Sequence, residues 1–454
     1  MTRRFHKLLQ DKDLSELFKG GGISFFLRFG GLAIGYILTL VIANLFGANG
    51  LGQYVLVITV LSFFTLFAKF GLDTTSIRFI ASFALQKKWT SIFSFRKQVV
   101  FLLSCTSVIT SLLMYLLANP IADLINANAS YIELSAFFVL PMAFFMLNYQ
   151  SLRGLKRIAE FSFFYRMSKA LFTVILIIVI YQFNKDSDVP VCAYLVSISI
   201  VSFLSFLSFR YWFNKKSKGE ESAAKEIMGY STILKISIPL MFAQSVQYIM
   251  AWTDKLLLGN MATPEDVGIY FTAFKLSMFA AVALMSVNSI ASPKFAELFG
   301  KNDIEGLKKI VHQSTKMIFW TSVPLIVVFF VFPEFFLGLF GKEFKVGVTA
   351  FILLSCGRLI SSFSGSVGNI LQMTGEQNAY GAILFIGAIM NVALNLILIP
   401  KGNFLSPYGI SGINGAAFAS MCSLSFWNLS MVLFIKKKFG FYTFYIPGLK
   451  RLKK

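Results

Sequence analysis

The sequence predicts an all-α, polytopic membrane protein: twelve transmembrane helices in two six-helix bundles related by a parallel internal repeat. Three observations carry this. Of 454 residues, 56% are hydrophobic and 14% charged, with a mean hydropathy of +0.70; a soluble chain carries about 25% charged residues. Apolar stretches of about 20 residues, the length of one crossing, recur from end to end. Finally, the segment Leu40 to Phe83 aligns without a gap onto Leu256 to Phe299, 216 residues later. The identical pairs are Leu40/Leu256, Asn44/Asn260, Gly52/Gly268, Tyr54/Tyr270, Phe63/Phe279, Ser76/Ser292, Phe79/Phe295 and Phe83/Phe299, and Arg78 matches Lys294 in charge. A self-similarity at that spacing marks two related halves, the usual build of a secondary transporter with its substrate held between them.

The expected spans are 23–47, 53–83, 92–118, 131–152, 160–183 and 189–213 in the first half, and 233–260, 267–298, 309–332, 346–373, 379–399 and 413–435 in the second. Several exceed about 25 residues, which implies tilt or extension beyond the bilayer. The residues 214–232 form a linker, and they are too few to fold alone. Residues 1–22 precede the first span; 4–19 fit either an amphipathic helix on the inner leaflet or a partly disordered tail. Residues 436–454 form a basic tail, whose aromatic run from Phe439 to Tyr445 suits the membrane interface.

The loops set the orientation. Basic residues crowd the N-terminus (Arg3, Arg4, Lys7, Lys12, Lys19), alternate loops (Lys87 and Lys88; Arg153, Lys156 and Arg157; Lys215, Lys216, Lys218 and Lys225; Lys301, Lys308 and Lys309) and the C-terminus. The opposite loops hold only Lys185, Lys342, Lys345 and Lys401. Cytoplasmic loops carry the excess of Lys and Arg, so both termini are expected inside. Six spans per half then give the two halves the same orientation.

The net charge of +21 is thus absorbed by topology, and nucleic acid is not an expected partner. His6 and His312 have no partner pattern, so no metal or histidine chemistry is expected. Cys105, Cys192, Cys356 and Cys422 lie far apart in apolar stretches and read as small buried side chains. No cofactor motif is present in the chain and no cleavable signal peptide is evident.

Charges inside spans are expensive and usually face a bundle interior or a wet cavity. They are Arg28, Lys69 and Asp73, Asp254 and Lys255, Lys275, and Arg358, with Lys169 and Lys316 as weaker candidates. Arg78, Arg96, Lys97, Arg166 and Lys294 lie near cytoplasmic ends, where snorkelling accounts for them. At a rise of about 1.5 Å per residue the cations spread from one face of the membrane to the other. Lys69 and Asp73 are four residues apart on one helix face and are able to neutralise each other. Asp254 and Lys255 are adjacent and point about 100° apart, so at least one needs a partner on another helix. Arg28, Lys69, Lys255, Lys275 and Arg358 outnumber Asp73 and Asp254. A cavity with that excess suits an anion such as a phosphate; lysines reaching the two interfaces singly are the plainer reading.

The run Ile42-Ala43-Asn44-Leu45-Phe46-Gly47 through Leu51-Gly52-Gln53-Tyr54, with Gly71-Leu72-Asp73 and Arg78-Phe79, resembles the start of the polysaccharide exporter family. That family includes the O-antigen and teichoic-acid flippases, within the multidrug/oligosaccharidyl-lipid/polysaccharide superfamily. Asp254-Lys255-Leu256-Leu257-Leu258-Gly259 with Gly268-Ile269-Tyr270 and Pro293 is similar to its repeated segment. The likeness is clearest over about 24–120 and 233–300. It implies a MATE-like, V-shaped pair of bundles around a central cavity. It also implies movement of an undecaprenyl-diphosphate-linked oligosaccharide (O-antigen, capsule or a similar repeat unit) from the inner to the outer leaflet of a bacterial plasma membrane, alongside a polysaccharide polymerase and assembly proteins.

The expected function is therefore a lipid-linked oligosaccharide flippase working by alternating access. Arg28, Lys69, Lys255, Lys275 and Arg358 would bind substrate, and Asp73 and Asp254 would couple transport to an ion. A multidrug/cation antiporter on the same fold should show more unpaired carboxylates in the spans. A lipid II flippase remains open, although such proteins usually have fourteen spans. A polymerase or membrane glycosyltransferase would be expected to present a substantial catalytic loop, whereas the outer loops here (47–53, 119–130, 184–188, 261–266, 333–345 and 400–412) are short.

Overall fold

The structure, a computed structural model, describes residues 12–218 and 228–445, with only the backbone for residues 12–25, Arg28, Ala243, Val246, Gln247, Ile249, Met250, Ala251 and Ser289. The expected inner-leaflet helix at 4–19, the middle of the linker and the last nine residues of the tail therefore lie wholly or largely outside the described side chains. Among the described residues every regular element is a helix. They form two compact units, one of Met1–Phe46 with Leu56–Tyr248, the other of Gly47–Val55 with Ile249–Lys454.

The first unit holds α1 (Lys12–Lys69), α2 (Leu72–Leu85), α3 (Trp89–Leu116), α4 (Ala118–Ile125), α5 (Ala129–Ala136), α6 (Val139–Gly154), α7 (Ile158–Tyr181), α8 (Val189–Ser217) and the first part of α9 (Tyr230–Met261). Two breaks shape it. Gly47, at φ 70° and ψ −175°, interrupts α1. Phe70 (φ 48°) and Gly71 (φ 74°) separate α1 from α2 in left-handed backbone. Glycine is required at 71, because a Cβ there would stand 2.2 Å from the Ser237 carbonyl oxygen. The expected span 53–83 is thus two helices. α5 starts on an Asn128 cap, whose side chain accepts from Ser130 N at 3.0 Å. It meets α6 at a bend of 52°; Pro141, lacking an N–H, sits in the first turn of α6. α6 packs against α2 and α8, with Ile80, Phe145, Leu152 and Val201 buried.

The second unit holds the remainder of α9, then α10 (Pro264–Gly300), α11 (Ile304–Val331), α12 (Pro333–Gly338), a 3₁₀ turn (Lys342–Gly347), α13 (Val348–Ser364), α14 (Val367–Met373), α15 (Gln377–Leu398) and α16 (Gly412–Phe439). Thr263-Pro264-Glu265-Asp266 opens α10 as a capping box: Thr263 Oγ1 accepts from Asp266 N at 3.2 Å and Asp266 Oδ2 from Thr263 N at 3.1 Å. The expected span 346–373 is broken at Gly365, where φ is 75° and a Cβ would meet Thr315 Oγ1 at 2.2 Å. The aromatic tail turns back onto this break. Thr443 Oγ1 donates to Ser364 O at 2.8 Å, serving the open end of α13, and Phe441 is buried.

Nine helices are long and apolar enough to cross a membrane among the described residues, or ten if α5 and α6 together make one span. Two elements separate that number from the expected twelve. The segment Phe29–Lys69, 41 residues long, would extend about 60 Å, twice the hydrocarbon thickness, and carries the Gly47 break. α9 is 32 residues long and carries Lys235, Asp254 and Lys255.

Candidate functional site

In the second unit three cations from three helices gather on one face of α10. Phe271, Phe274, Lys275 and Met278 recur at helical spacing along that face. Lys255 Nζ, from α9, lies 5.6 Å from the centre of the Phe271 ring, and Lys275 Nζ lies 5.4 Å from the same centre. Arg358, from α13, places its guanidinium carbon 5.6 Å from the Phe274 ring and Nη2 2.8 Å from Met278 Sδ. All three side chains are half-buried. Ring faces attract cations without cancelling their charge. The natural complement of such a convergence is a multiply charged anion.

One residue before Lys255, Asp254 points into a different environment. Its Oδ2 accepts from Tyr270 Oη at 2.6 Å and from Ser420 Oγ at 2.5 Å, and its Oδ1 from Asn395 Nδ2 at 2.8 Å. Asn395 reaches the Asn391 side-chain oxygen at 3.2 Å, and Asn391 donates to Ser423 Oγ at 3.3 Å. The cluster joins α9, α10, α15 and α16. As the adjacency of Asp254 and Lys255 requires, one of the pair has its partners on other helices; those partners are neutral hydroxyls and an amide, not a cation. A single buried carboxylate ringed by oxygen-bearing neutral groups can take a proton or a small hard cation.

In the first unit Lys69 and Asp73 pair at 2.9 Å, both almost fully buried. They do so across the break, not along one helix: Lys69 ends α1 and Asp73 lies in the first turn of α2. Each therefore sits at the helix end whose dipole favours its charge. Lys69 also donates to Gln244 Oε1. Gln244 Nε2 donates to Thr74 Oγ1 at 2.6 Å, and the Tyr248 ring centre is 5.5 Å from Lys69 Nζ.

The side chain of Arg28 lies outside the described residues, so the structure does not place it beside the others. Of the expected substrate-binding cations the second unit brings together Lys255, Lys275 and Arg358; in the first unit Lys69 is paired with Asp73. Arg96 departs from the snorkelling expected of it. Its guanidinium turns inward to Asn148 Oδ1 at 2.5 Å and Ser151 Oγ at 3.0 Å, and stacks on Phe209 at 3.7 Å. Lys294 is at the surface with Glu297. Sequence reasoning missed Asn391, Asn395, Ser420 and Gln244. A signal for the first two exists: asparagines at i and i+4 on the otherwise apolar α15 mark one polar stripe.

Residues 17–299 match the sequence profile of the polysaccharide biosynthesis protein family. The chain belongs to that family. A MatE profile also matches, over residues 239–397. An uncharacterised membrane protein of Methanocaldococcus jannaschii is 24% identical across 91% of this chain and 82% of its own. A probable low-salt glycan biosynthesis flippase of Haloferax volcanii is 26% identical over 39% of this chain and 36% of its own length. Among solved structures, an inward-facing multidrug-resistance transporter of the MATE family superposes with a TM-score of 0.70 at 14% identity, covering 89% of this chain and 98% of that one. The lipid II flippase MurJ, in an inward closed conformation, gives 0.69 at 14% identity over 92% and 87%. The family member thus has the MATE-like, all-helical fold expected from its sequence.

Proposed function

We propose that the protein is a flippase that carries a polyprenyl-diphosphate-linked oligosaccharide from the inner to the outer leaflet of a bacterial plasma membrane by alternating access. It works with twelve crossings in two six-helix halves, 23–213 and 233–435, and with both termini in the cytoplasm. The observation that carries this is the gathering of Lys255, Lys275 and Arg358 on one face of α10. A diphosphate has the charge and the spread of oxygens to meet several cations at once. The polyprenyl tail stays in lipid while the sugars cross in water. Arg28 and Lys69 are the further substrate-binding candidates of the first half. Membership of a polysaccharide biosynthesis family, and the relative named as a glycan flippase, support the substrate class. Neighbouring polymerase and assembly proteins would take the delivered glycan.

Asp254 is the coupling residue in this reading, because its carboxylate is buried, held by three donors and surrounded by further amide and hydroxyl oxygens. Asp73, which is engaged with Lys69, is the second candidate. The test is export by Lys255→Ala, Lys275→Ala and Arg28→Ala against Lys87→Ala, a change in an exposed loop. The first three lower glycan export at normal protein levels and the last does not; normal export by all three overturns the cationic site. The MatE match and the likeness to a multidrug transporter keep drug–cation antiport as the other reading on this fold.

A further inference from the structure

Arg96, half-buried where α3, α6 and α8 meet, is held by neutral groups alone. Two of its five N–H groups find acceptors among the described residues, Asn148 Oδ1 and Ser151 Oγ of α6, and no carboxylate is among them. Both acceptors are aimed at it. Asn148 Nδ2 donates to Ser205 Oγ at 3.3 Å and to Ser202 O at 3.4 Å, which turns its Oδ1 to the guanidinium. Ser151 directs its own proton to Leu147 O at 2.7 Å and so offers Arg96 a lone pair. Phe209 of α8 stacks on the guanidinium at 3.7 Å, and an aromatic face attracts a cation without cancelling its charge.

This is a seam between α3 and α8, floored by α6, which packs against both. Trp89, the first residue of α3, lies 6.1 Å from Phe213, and Phe213 stacks on Phe209 at 5.9 Å and 17°. An aromatic row thus leads from the helix ends to Arg96. Phe93 and Phe101 of α3, with Phe203 and Phe206 of α8, are exposed in the same stretches. Lys97, next to Arg96, and Arg210, next to Phe209, are exposed and form no ion pair among the described residues.

In the topology proposed above, α3 ends and α8 begins on the outer side. About 20 helical residues cross the hydrocarbon. The crossing then runs from Leu116 back to Lys97 in α3, and from Val189 to Ser208 in α8. Arg96, Phe209 and Arg210 fall at its inner edge, the depth of lipid phosphates. An arginine placed there for orientation alone reaches outward into the headgroups; this one is fixed inward.

We propose that the seam binds the phosphate head of an anionic phospholipid of the inner leaflet. The remaining N–H groups of Arg96 meet phosphate oxygens, Lys97 and Arg210 flank them, and the acyl chains lie along the exposed phenylalanines. The site rests on the orientation proposed above and not on what the protein carries.

The test is native mass spectrometry of the full chain in detergent, titrated with phosphatidylglycerol or with phosphatidylcholine of the same acyl chains. The wild type retains one phosphatidylglycerol at least about tenfold more tightly than phosphatidylcholine. Arg96→Met removes that preference. Lys97→Ala and Arg210→Ala, changes at exposed side chains, each lower it about fivefold, and Lys309→Ala, also exposed, leaves it unchanged. Equal retention of the two lipids by the wild type, an unchanged preference in folded Arg96→Met, or an unchanged preference in both Lys97→Ala and Arg210→Ala overturns the site. Displacement of the lipid by an equal amount of inorganic phosphate shows a free-anion site and overturns the lipid assignment. Binding in detergent is blind to orientation and to cargo, so each of these failures leaves the topology and the flippase proposal to their own tests.

Discussion

Gly52 and Gly268, equivalent positions of the internal repeat, pack against each other. A Cβ on Gly52 would stand 3.2 Å from Gly268 N and 1.6 Å from the Pro264 carbonyl oxygen; one on Gly268 would stand 3.0 Å from Gly52 N and 2.1 Å from the Ala48 carbonyl oxygen. The obstacles are backbone atoms, which cannot swing aside. The sequence repeat is therefore also a contact, in which two small residues let two helix backbones approach. Just before it, Glu343 Oε1 accepts from Ala48 N at 2.5 Å, serving the helix that restarts after the Gly47 break.

Gly52→Ala and Gly268→Ala should each lower stability by about 2 kcal/mol or more, since overpacking against rigid backbone has no relief. Gly381→Ala is the control: it is exposed on α15 with nothing within 4 Å of its added Cβ. Thermal melting of the purified protein should place the first two well below wild type and the third level with it. An unchanged melting temperature for Gly52→Ala would refute the contact.

Asp73→Asn leaves Lys69 charged and buried, so it should cost about 3–5 kcal/mol and reduce the folded yield. The double change Lys69→Ala with Asp73→Ala should recover part of the loss, because both charges leave together. A double variant less stable than Asp73→Asn in a melting series would show that the pair is not the source of the cost.

Asp254→Asn should leave the fold intact and abolish the response of transport to an ion gradient. The substitution keeps the shape but removes the charge that a proton or sodium ion would meet. Reconstituted transport should respond to proton or sodium gradients in wild type and not in the variant. Identical responses would remove Asp254 from coupling.

Impermeant thiol labelling tests the orientation. Cysteines placed at Asn128 and Gly402 should react from outside in intact cells, and Gly219→Cys should not. Reporters fused at Gly219 and after Lys454 should be active only as cytoplasmic reporters. Labelling of Gly219→Cys from outside would invert the map.

The expected spans fall on the helices because hydropathy and length act locally; Gly52 and Gly268 stand out in the sequence as an identical pair of the repeat, but their contact comes only from the fold. The breaks were not readable as such. Lys69 and Asp73 have the spacing of one helix turn whether or not Phe70 and Gly71 leave the helix, and only the carbonyl of Ser237, 166 residues away from Gly71 in the chain, makes glycine necessary there. The charges of the cationic face stood out in an apolar sequence, whereas the partners of Asp254 are neutral. Ser420 and Asn395 look like ordinary polar residues of membrane helices until folding places them 2.5 Å and 2.8 Å from the carboxylate.

The most direct test is leaflet transfer by the purified protein in proteoliposomes. The probes are a lipid-linked oligosaccharide bearing a fluorescent sugar and, separately, a cationic dye. The wild type should make the sugar lipid accessible on the far leaflet, Lys255→Ala and Lys275→Ala should slow that transfer at least about tenfold, and the dye should not move. Transport of the dye with no transfer of the sugar lipid by a folded wild-type protein would contradict the account.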